Sequence, residues 1–266
     1  MMQAAANLRN IYDSIFKYRY VVYSFVYTNV KLRYRRSYLG FVWTLLAPML
    51  HYIMIGLMMN LLLRSKMDSY LTYYFSGAIY FSLVNGVLSK APAILINNEH
   101  YIKKIPVPKI IFILNVVCYE LVNFTLSGLT LGIIGAAMGK LVLSPWILTS
   151  LLALVLLAIF LFGIACMLSV LTVYFRDFNH IIPVLLQALF FVTPVTYSKE
   201  MIPPEFHWIV KINPVSYFLD VFRTPLLTGE SPDLRAIAVI LIASIVSFLI
   251  GIDVVRRFDN KIVFKL

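Results

Sequence analysis

Long apolar stretches alternate with polar segments along this chain. Six of the stretches approach the length of about 20 residues that crosses the hydrocarbon core of a bilayer. They predict an all-α polytopic membrane protein with six transmembrane helices, in a single domain that covers residues 1–266. The fifth stretch contains Pro183 and Pro194, so a kink or a break is expected there. The predicted spans are 40–63, 71–89, 110–138, 146–173, 181–197 and 235–254.

Basic residues are distributed unequally between the polar segments. Most of the 23 Lys and Arg lie before span one, between spans two and three, between spans four and five, or after span six. Because cytoplasmic loops collect Lys and Arg, these segments and both termini are predicted to be cytoplasmic. The net charge of +11 therefore has a topological cause and does not indicate a nucleic-acid partner.

Composition excludes a soluble domain. The chain is 61% hydrophobic and only 13% charged, whereas soluble domains are about half apolar and about a quarter charged. Cys118 and Cys166 lie inside apolar stretches without metal-ligand spacing, which favours packing roles over a disulfide or a zinc site.

The segment 1–39 precedes the first span. Apolar residues recur there at nearly helical spacing among charged residues and tyrosines, which predicts an amphipathic helix in the membrane interface. An additional span and a signal peptide are the alternatives; the interior charges disfavour the first, and no small-residue cleavage site supports the second. The apolar positions are Ile11, Ile15, Val22, Phe25 and Val26.

The segment 90–109 is too polar to cross the membrane, and Pro106 and Pro108 enforce a bend before span three. A short helix here would suit docking of a soluble partner, although an ordinary basic loop accounts for the composition equally well. The candidate docking residues are Ile94, Leu95, Ile96, Glu99, Tyr101, Lys103 and Lys104.

The segment 198–234 follows span five. Pro203, Pro204 and Pro214 divide it into pieces of about one dozen residues, below the length that spans a bilayer. Two short helices that dip into the outer interface are the simplest prediction.

Catalytic motifs are missing from the sequence. Gly135 to Leu141 has one residue too few between its glycines for a phosphate-binding loop, and it lacks the Ser or Thr that would hold magnesium. The four histidines form no metal-binding pair, so an enzyme is not predicted. Glu120 lies about 15 Å into span three, where an acid needs an interior position or a partner. Its candidate partners are Asn85, His51, Gln187, Asn115 and Asn123.

Two ordered motif sets resemble a known family. The junction Leu32 to Gly40, followed by Trp43 and Ala47-Pro48, resembles the start of type-two ABC-transporter permeases that export polysaccharides. The sequence from Val173 through segment 198–234 resembles a second stretch of sequence in the same family. That passage contains Phe175, Arg176, Asp177, Pro194, Tyr197, Pro203, Asn213, Pro214 and Arg223.

The resemblance implies a function and partners. It implies a homodimeric permease of the bacterial inner membrane that exports a lipid-linked polysaccharide of the O-antigen, teichoic acid or capsule type. Two copies of an ATP-binding subunit would drive it, with ATP and magnesium on that subunit and no cofactor in this chain. Segment 90–109 would be the coupling segment, and 198–234 would form outer gate helices.

The resemblance also assigns roles to residues. Spans one and five would line the channel with Trp43, His51, Tyr52, Gln187, Phe190 and Phe191. Arg33, Arg35 and Arg36 would contact lipid headgroups or a lipid pyrophosphate, which the sequence does not distinguish. Pro203, Asn213, Pro214 and Arg223 would belong to the outer gate, Phe175, Arg176 and Asp177 to a cytoplasmic loop, and Glu120 would be a buried polar residue.

Other functions stay open at this stage. A permease for a small lipid or a drug is a close alternative, and only the motifs of the polysaccharide exporters argue against it. A membrane-embedded glycosyl or phosphoglycosyl transferase would need a cluster of acids or histidines at one membrane face, which the sequence lacks. A stand-alone channel or ion-coupled carrier would need several polar residues along a pore, and Glu120 is the one acid predicted deep inside a span, since Asp253 lies at the end of span six.

Overall fold

The computed structural model of the chain describes residues 16–33, 38–63, 67–137, 139 and 144–266. Within those residues every regular element is helical, which confirms the predicted all-α class. Short 3₁₀ turns lie at Gly40–Val42, Ala91–Ala93, Lys199–Met201 and Pro204–Phe206. The α-helices are α1 (Arg19–Arg33), α2 (Trp43–Leu63), α3 (Met67–Lys90), α4 (Ile94–Asn97), α5 (Glu99–Lys104), α6 (Lys109–Ala137), α7 (Ile147–Tyr174), α8 (Phe178–Val192), α9 (His207–Ile212), α10 (Pro214–Leu227) and α11 (Leu234–Lys265).

Four helical segments in the described part of the chain are long and apolar enough to cross a membrane. They are Thr72–Asn97, Lys109–Ile133, Ile147–Tyr174 and Leu234–Asp259, and they coincide with predicted spans two, three, four and six. The chain is therefore a membrane protein. Two shorter apolar stretches, Leu45–Ile55 within α2 and Phe178–Val192, correspond to spans one and five, whose crossing of the membrane stays a prediction.

The break expected in the fifth span lies at its second proline. α8 continues through Pro183 and ends at Val192, five residues before the predicted end of the span. Thr193 is extended, with φ −87° and ψ 133°, because a following proline disfavours the helical conformation of the residue before it. Residues 193–197 thus leave the helix as an irregular segment.

The central helix pair α7 and α11 packs through small residues. A Cβ added at Gly251 would lie 2.3 Å from the carbonyl oxygen of Gly163, so neither position has room for a side chain. The Ser244 hydroxyl donates to the carbonyl of Leu156 at 2.8 Å. Such close approach gives two apolar helices good van der Waals contact within lipid, where a hydrophobic driving force is weak.

Helix α1 lies against the beginning of α6. The Tyr18 hydroxyl donates to the carbonyl oxygen of Pro106 at 3.0 Å. The Phe25 ring meets Tyr101 edge-on at 5.6 Å between centroids and lies 6.0 Å from Phe112. Ile11, Ile15, Arg35 and Arg36 lie outside the described residues, and the interfacial position of this segment stays a prediction. The face of α1 away from α6 exposes Tyr20, Tyr23 and Tyr27.

The segment between α8 and α11 contains two short helices, α9 and α10. The Asn213 side chain caps α10 because its Oδ1 accepts a hydrogen bond from the backbone N–H of Val215 at 3.0 Å. Pro214 then occupies the first helical position, where its missing N–H is not needed. Whether α9 and α10 enter the membrane stays a prediction.

Candidate functional site

A polar cavity of about 360 Å³ lies between α2, α3 and α6. Each helix contributes residues three or four positions apart, the spacing that places side chains on one helical face. Arg33 at the end of α1 completes the lining. The remaining lining residues are Trp43, Ala47, Pro48 and His51 from α2, Ile79 and Ser82 from α3, and Glu120, Asn123 and Ser127 from α6.

The Glu120 side chain, only 8% exposed, is the centre of a hydrogen-bonded chain that we call the Glu120 network. The Lys90 ammonium donates to Oε1 of Glu120. The Asn123 amide donates to Oε2 at 3.1 Å. Nη1 of Arg33 in turn donates to Oδ1 of Asn123 at 3.0 Å. The buried carboxylate is therefore ion-paired and hydrogen-bonded, as a charge in a low-dielectric environment requires.

The sequence identified one of the two Glu120 partners. Asn123 was among the candidates, while Lys90 was assigned only to the loop after span two. Its long side chain instead extends back to the carboxylate, with its ammonium also 4.6 Å from the Tyr119 ring centroid. The approach also depends on Gly86, since a Cβ there would lie 2.6 Å from Oε2 of Glu120. The glycine within span two was the sequence signal for this contact.

The predicted channel residues occupy two helices that pack against α3. Trp43 and His51 line the polar cavity, and the His51 ring lies 3.2 Å from the Tyr74 hydroxyl. On α8, Phe190 packs edge-on against Phe81 at 5.1 Å between centroids. Tyr74 and Phe81 are seven residues apart, so α2 and α8 contact one face of α3. Gln187 and Phe191 are exposed on α8. Tyr52 lies on α2, with its side chain outside the described part of the structure.

A second buried charge, Arg223 on α10, joins three parts of the fold. Its guanidinium donates from Nη1 to the Pro194 carbonyl at 2.9 Å and from Nη2 to the Val195 carbonyl at 3.4 Å. Nε donates to Ser76 Oγ on α3 at 3.3 Å, and the guanidinium carbon lies 3.8 Å from the Tyr73 ring centroid. We call these five residues the Arg223 clamp. They attach α10 and the irregular segment 193–197 to α3.

Electrostatics around the Arg223 clamp depend on burial. Arg223 is 6% exposed, and burial lowers the pKa of its guanidinium below the ordinary value. Burial likewise raises the pKa of Asp220, one turn earlier on α10, while the Lys199 ammonium that hydrogen-bonds to it acts in the opposite direction. Arg223 in particular needs its partners because water has little access to its guanidinium.

The other predicted gate residues differ in their surroundings. Asn213 donates from Nδ2 to Oγ1 of Thr193 at 2.9 Å, next to the carbonyls that Arg223 contacts. Asn213 and Arg223 therefore hold the same irregular segment from two positions. Pro203 is exposed and precedes the turn Pro204–Phe206.

Helix α5 and the loop between α7 and α8 share one surface. Lys103 donates to Glu99 at 2.7 Å, which holds the pKa of the Glu99 carboxyl below its usual value, and the charge of Arg176 lowers it further. Phe175 is 64% exposed. We call the set Glu99, Tyr101, Lys103, Lys104, Phe175 and Arg176 the α5 surface. Asp177 is exposed beside this surface and precedes α8.

Two of the predicted docking residues are buried in the structure. Ile94 is 3% exposed and Leu95 is fully buried, and both belong to the hydrophobic core. Ile96 is half-buried. They attach the segment to α6 and α7 instead of facing a partner, because a four-residue helix next to the core turns its apolar side inward.

Apolar spanning helices, a polar cavity among them and a polar surface at one end define a membrane transport component. The chain belongs to the ABC-2 type transporter family, which matches residues 20–227.

Similar proteins cover most of the chain at low identity. An O-antigen export system permease protein RfbA of Klebsiella pneumoniae is 24% identical over 233 residues, covering 88% of this chain and 90% of that protein. The RfbA protein of Myxococcus xanthus is 26% identical over 234 residues, with 87% and 90% coverage. The polysialic acid transport protein KpsM of Escherichia coli is 21% identical over 233 residues, again with 87% and 90% coverage. The family resemblance of the sequence motifs is thereby confirmed.

Proposed function

We propose that this chain is the transmembrane subunit of an ATP-driven exporter that moves a lipid-linked polysaccharide from the cytoplasm to the outer face of the bacterial inner membrane. Membership of the ABC-2 type transporter family and the similarity to O-antigen and polysialic acid export proteins support this function. The proposed assembly is a homodimer with two ATP-binding subunits. The proposed topology has six spans, with α2 and α8 as spans one and five and both termini in the cytoplasm.

One structural observation carries the proposal: a single short segment connects the polar cavity to the α5 surface. Lys90 contacts Glu120 in the cavity wall, and Ala91 begins the turn that leads into α4 and α5. Ile94 and Leu95 fix that segment to the core between the two sites. Movement of α5 by a bound partner would therefore be transmitted to the cavity through packed residues.

The α5 surface is the proposed docking site for the ATP-binding subunit. That subunit would supply ATP hydrolysis with magnesium, and this chain would receive its movement. Glu99, Lys103 and Lys104 offer charges of both signs, while Tyr101 and Phe175 are exposed aromatics of the kind that anchor protein interfaces.

Association with an ATP-binding ABC-transporter subunit from the same organism tests this assignment. Both proteins are co-expressed, the permease is purified in detergent, and co-elution is measured for the wild type and for Glu99→Arg with Tyr101→Ala. We expect the wild type to co-elute and the double variant to lose most of the partner, because it reverses one charge and removes one aromatic anchor. A matched control replaces an exposed acid and an exposed aromatic elsewhere, Glu230→Arg with Phe206→Ala, and should retain association.

Export itself is tested by deletion of the gene. We expect the surface polysaccharide to disappear and lipid-linked glycan to accumulate inside the cell, with wild-type protein restoring the surface polymer. The surface polymer could instead stay unchanged while the cells become sensitive to a drug or their small lipids change. That result would indicate a permease for another class of substrate.

A further inference from the structure

We propose that the polar cavity binds one sugar unit of the transported glycan within a single protomer. This inference rests on the proposed function and adds a defined contact site to it. The site is formed by the faces of α2, α3 and α6 around Glu120, Asn123 and Ser127.

Convergence of three polar helix faces is the first argument. Polar side chains in membrane-spanning helices are costly unless they face the protein interior or a water-filled space. Glu120, Asn123 and Ser127 follow one face of α6, and Ser82 of α3 lines the same cavity. The helices thus place these polar groups around one partly open cavity.

The size and lining of the cavity match a sugar ring. About 360 Å³ accommodates roughly a dozen water molecules at their share of about 30 Å³ each, which is ample for a hexose with accompanying water. Trp43 adds a broad apolar ring to the polar wall. Such a ring can lie against the C–H face of a sugar, while the hydroxyl and amide groups of the cavity wall form hydrogen bonds with the sugar hydroxyls.

Hydrogen-bonding capacity favours a polyhydroxylated ligand. Sugar hydroxyls donate and accept, and the wall offers both functions: the Glu120 carboxylate accepts, while Asn123, Ser82 and Ser127 donate and accept. A ligand with only hydrogen-bond donors, or only acceptors, would satisfy only part of this wall.

The phosphate part of a lipid-linked substrate is disfavoured in direct contact with Glu120, whereas Arg33 is a cation at another position in the same wall. The carboxylate of Glu120 lines the cavity and would repel a phosphate placed against it. The neighbouring cations already donate to wall residues, Lys90 to Glu120 and Arg33 to Asn123. An alkyl chain would fit poorly as well, because it would leave the polar groups without partners.

Site-specific photo-crosslinking in cells that make the glycan tests the inference. A benzophenone amino acid replaces Ser127 in the cavity, Leu129 on the exposed side of the same helix, or Phe191 on exposed α8. The probe is the cell's own glycan, detected on the purified permease by carbohydrate staining and mass. We expect carbohydrate adducts at position 127 at least tenfold above position 129. Phospholipid adducts alone at 127, or carbohydrate at 191 but not at 127, would overturn the site.

A cavity-filling variant provides the second measurement. Ser82→Leu adds bulk to the cavity, and the Ser82 hydroxyl donates within its own helix, to the carbonyl of Ile79 at 2.7 Å. We expect carbohydrate adducts at position 127 to fall at least tenfold, with association with the ATP-binding subunit retained. Thr125→Leu, on the exposed face of α6, is the matched control and should leave the adducts unchanged. Unchanged adducts in Ser82→Leu would contradict binding in this cavity.

Failure of the proposed function gives a different result. If deletion of the gene leaves the surface polysaccharide intact, the chain does not export it, and both proposals fall. If export depends on the gene but position 127 yields no carbohydrate, only the site is wrong.

Discussion

The Glu120 network and the Arg223 clamp are both buried charged groups, yet they are stabilised in different ways. Glu120 is paired with the opposite charge of Lys90, whose side chain is 48% exposed. Arg223 instead contacts two backbone carbonyls, a hydroxyl and the face of a tyrosine ring. A flexible side chain compensates the first charge, and fixed backbone compensates the second.

The difference separates an adjustable region from a rigid one. Lys90 can shift or become hydrated, and it begins the segment that leads to the α5 surface. The partners of Arg223 come from α3 and from the segment 193–197, so its guanidinium moves only if those elements move together. We infer that motion driven from the α5 surface acts on the Glu120 network, while the Arg223 clamp holds the opposite part of the fold in place.

Removal of the clamp should have the largest effect. In Arg223→Met, the buried carbonyls of Pro194 and Val195 lose their donor, which should destabilise the protein by about 3 kcal/mol. Thermal unfolding of the purified protein in detergent should show a transition lower by about 6–12 °C. Arg235→Met, at an exposed position on α11, should change the transition little. Equal shifts in both variants would contradict the clamp.

Gly77→Ala tests the clamp while Arg223 itself is kept. A Cβ at position 77 would lie 2.0 Å from Nη2 of Arg223 and 3.3 Å from Cα of Val195, so the guanidinium must move. We expect a loss of about 2 kcal/mol, smaller than in Arg223→Met because a long side chain can shift. In the double variant Gly77→Ala with Arg223→Met, the two losses should not add, since the clashing group is gone.

Gly132→Ala is the matched control for that substitution. Among the residues that the structure describes, no heavy atom outside the backbone of α6 itself lies within 4 Å of a Cβ added at position 132. Because alanine favours a helix over glycine by about 1 kcal/mol, this variant should be neutral or slightly more stable.

The Glu120 network should respond asymmetrically to loss of either partner. Lys90→Met leaves a buried carboxylate without its cation and should cost about 1–2 kcal/mol. Glu120→Gln leaves a half-exposed ammonium that water can solvate, so its cost should stay below about 1 kcal/mol. The double variant should unfold at a higher temperature than Lys90→Met alone. Equal effects of the two single variants would contradict the inferred role of burial.

Tyr18→Phe should have a small and local effect. It removes the hydrogen bond to the Pro106 carbonyl, worth about 1 kcal/mol, and keeps the ring that packs against the core. Hydrogen exchange should become faster in α1 and around Pro106, with little change in global unfolding. Tyr23→Phe, on the exposed face of α1, is the control and should not alter the exchange.

Much of the helical framework was predictable because membrane spans leave a strong local signal. An apolar stretch must satisfy its backbone within itself, so its length and composition determine the helix. The predicted stretches 110–138 and 146–173 thus correspond closely to α6 and α7. Proline likewise marked the end of α8, since Pro194 excludes a helical Thr193.

Side-chain partners across helices were harder to predict. Ile94 and Leu95 were expected among the docking residues, but the direction of a four-residue helix depends on the neighbouring core, into which both are packed. Lys90 was expected in a polar loop, and its contact with Glu120 depends on the crossing of α3 and α6 at Gly86.

The sequence by itself determined the class of protein, most of its apolar helices and the presence of a buried acid, Glu120, in one of them, because hydrophobicity, chain length and proline act locally. Only the tertiary structure decided that Arg223 contacts the carbonyls after α8, that Glu120 pairs with Lys90, and that α2, α3 and α6 enclose one polar cavity. The hydrogen bonds of Arg223 alone join residues 28 to 147 positions apart, whose proximity depends on how the helices cross.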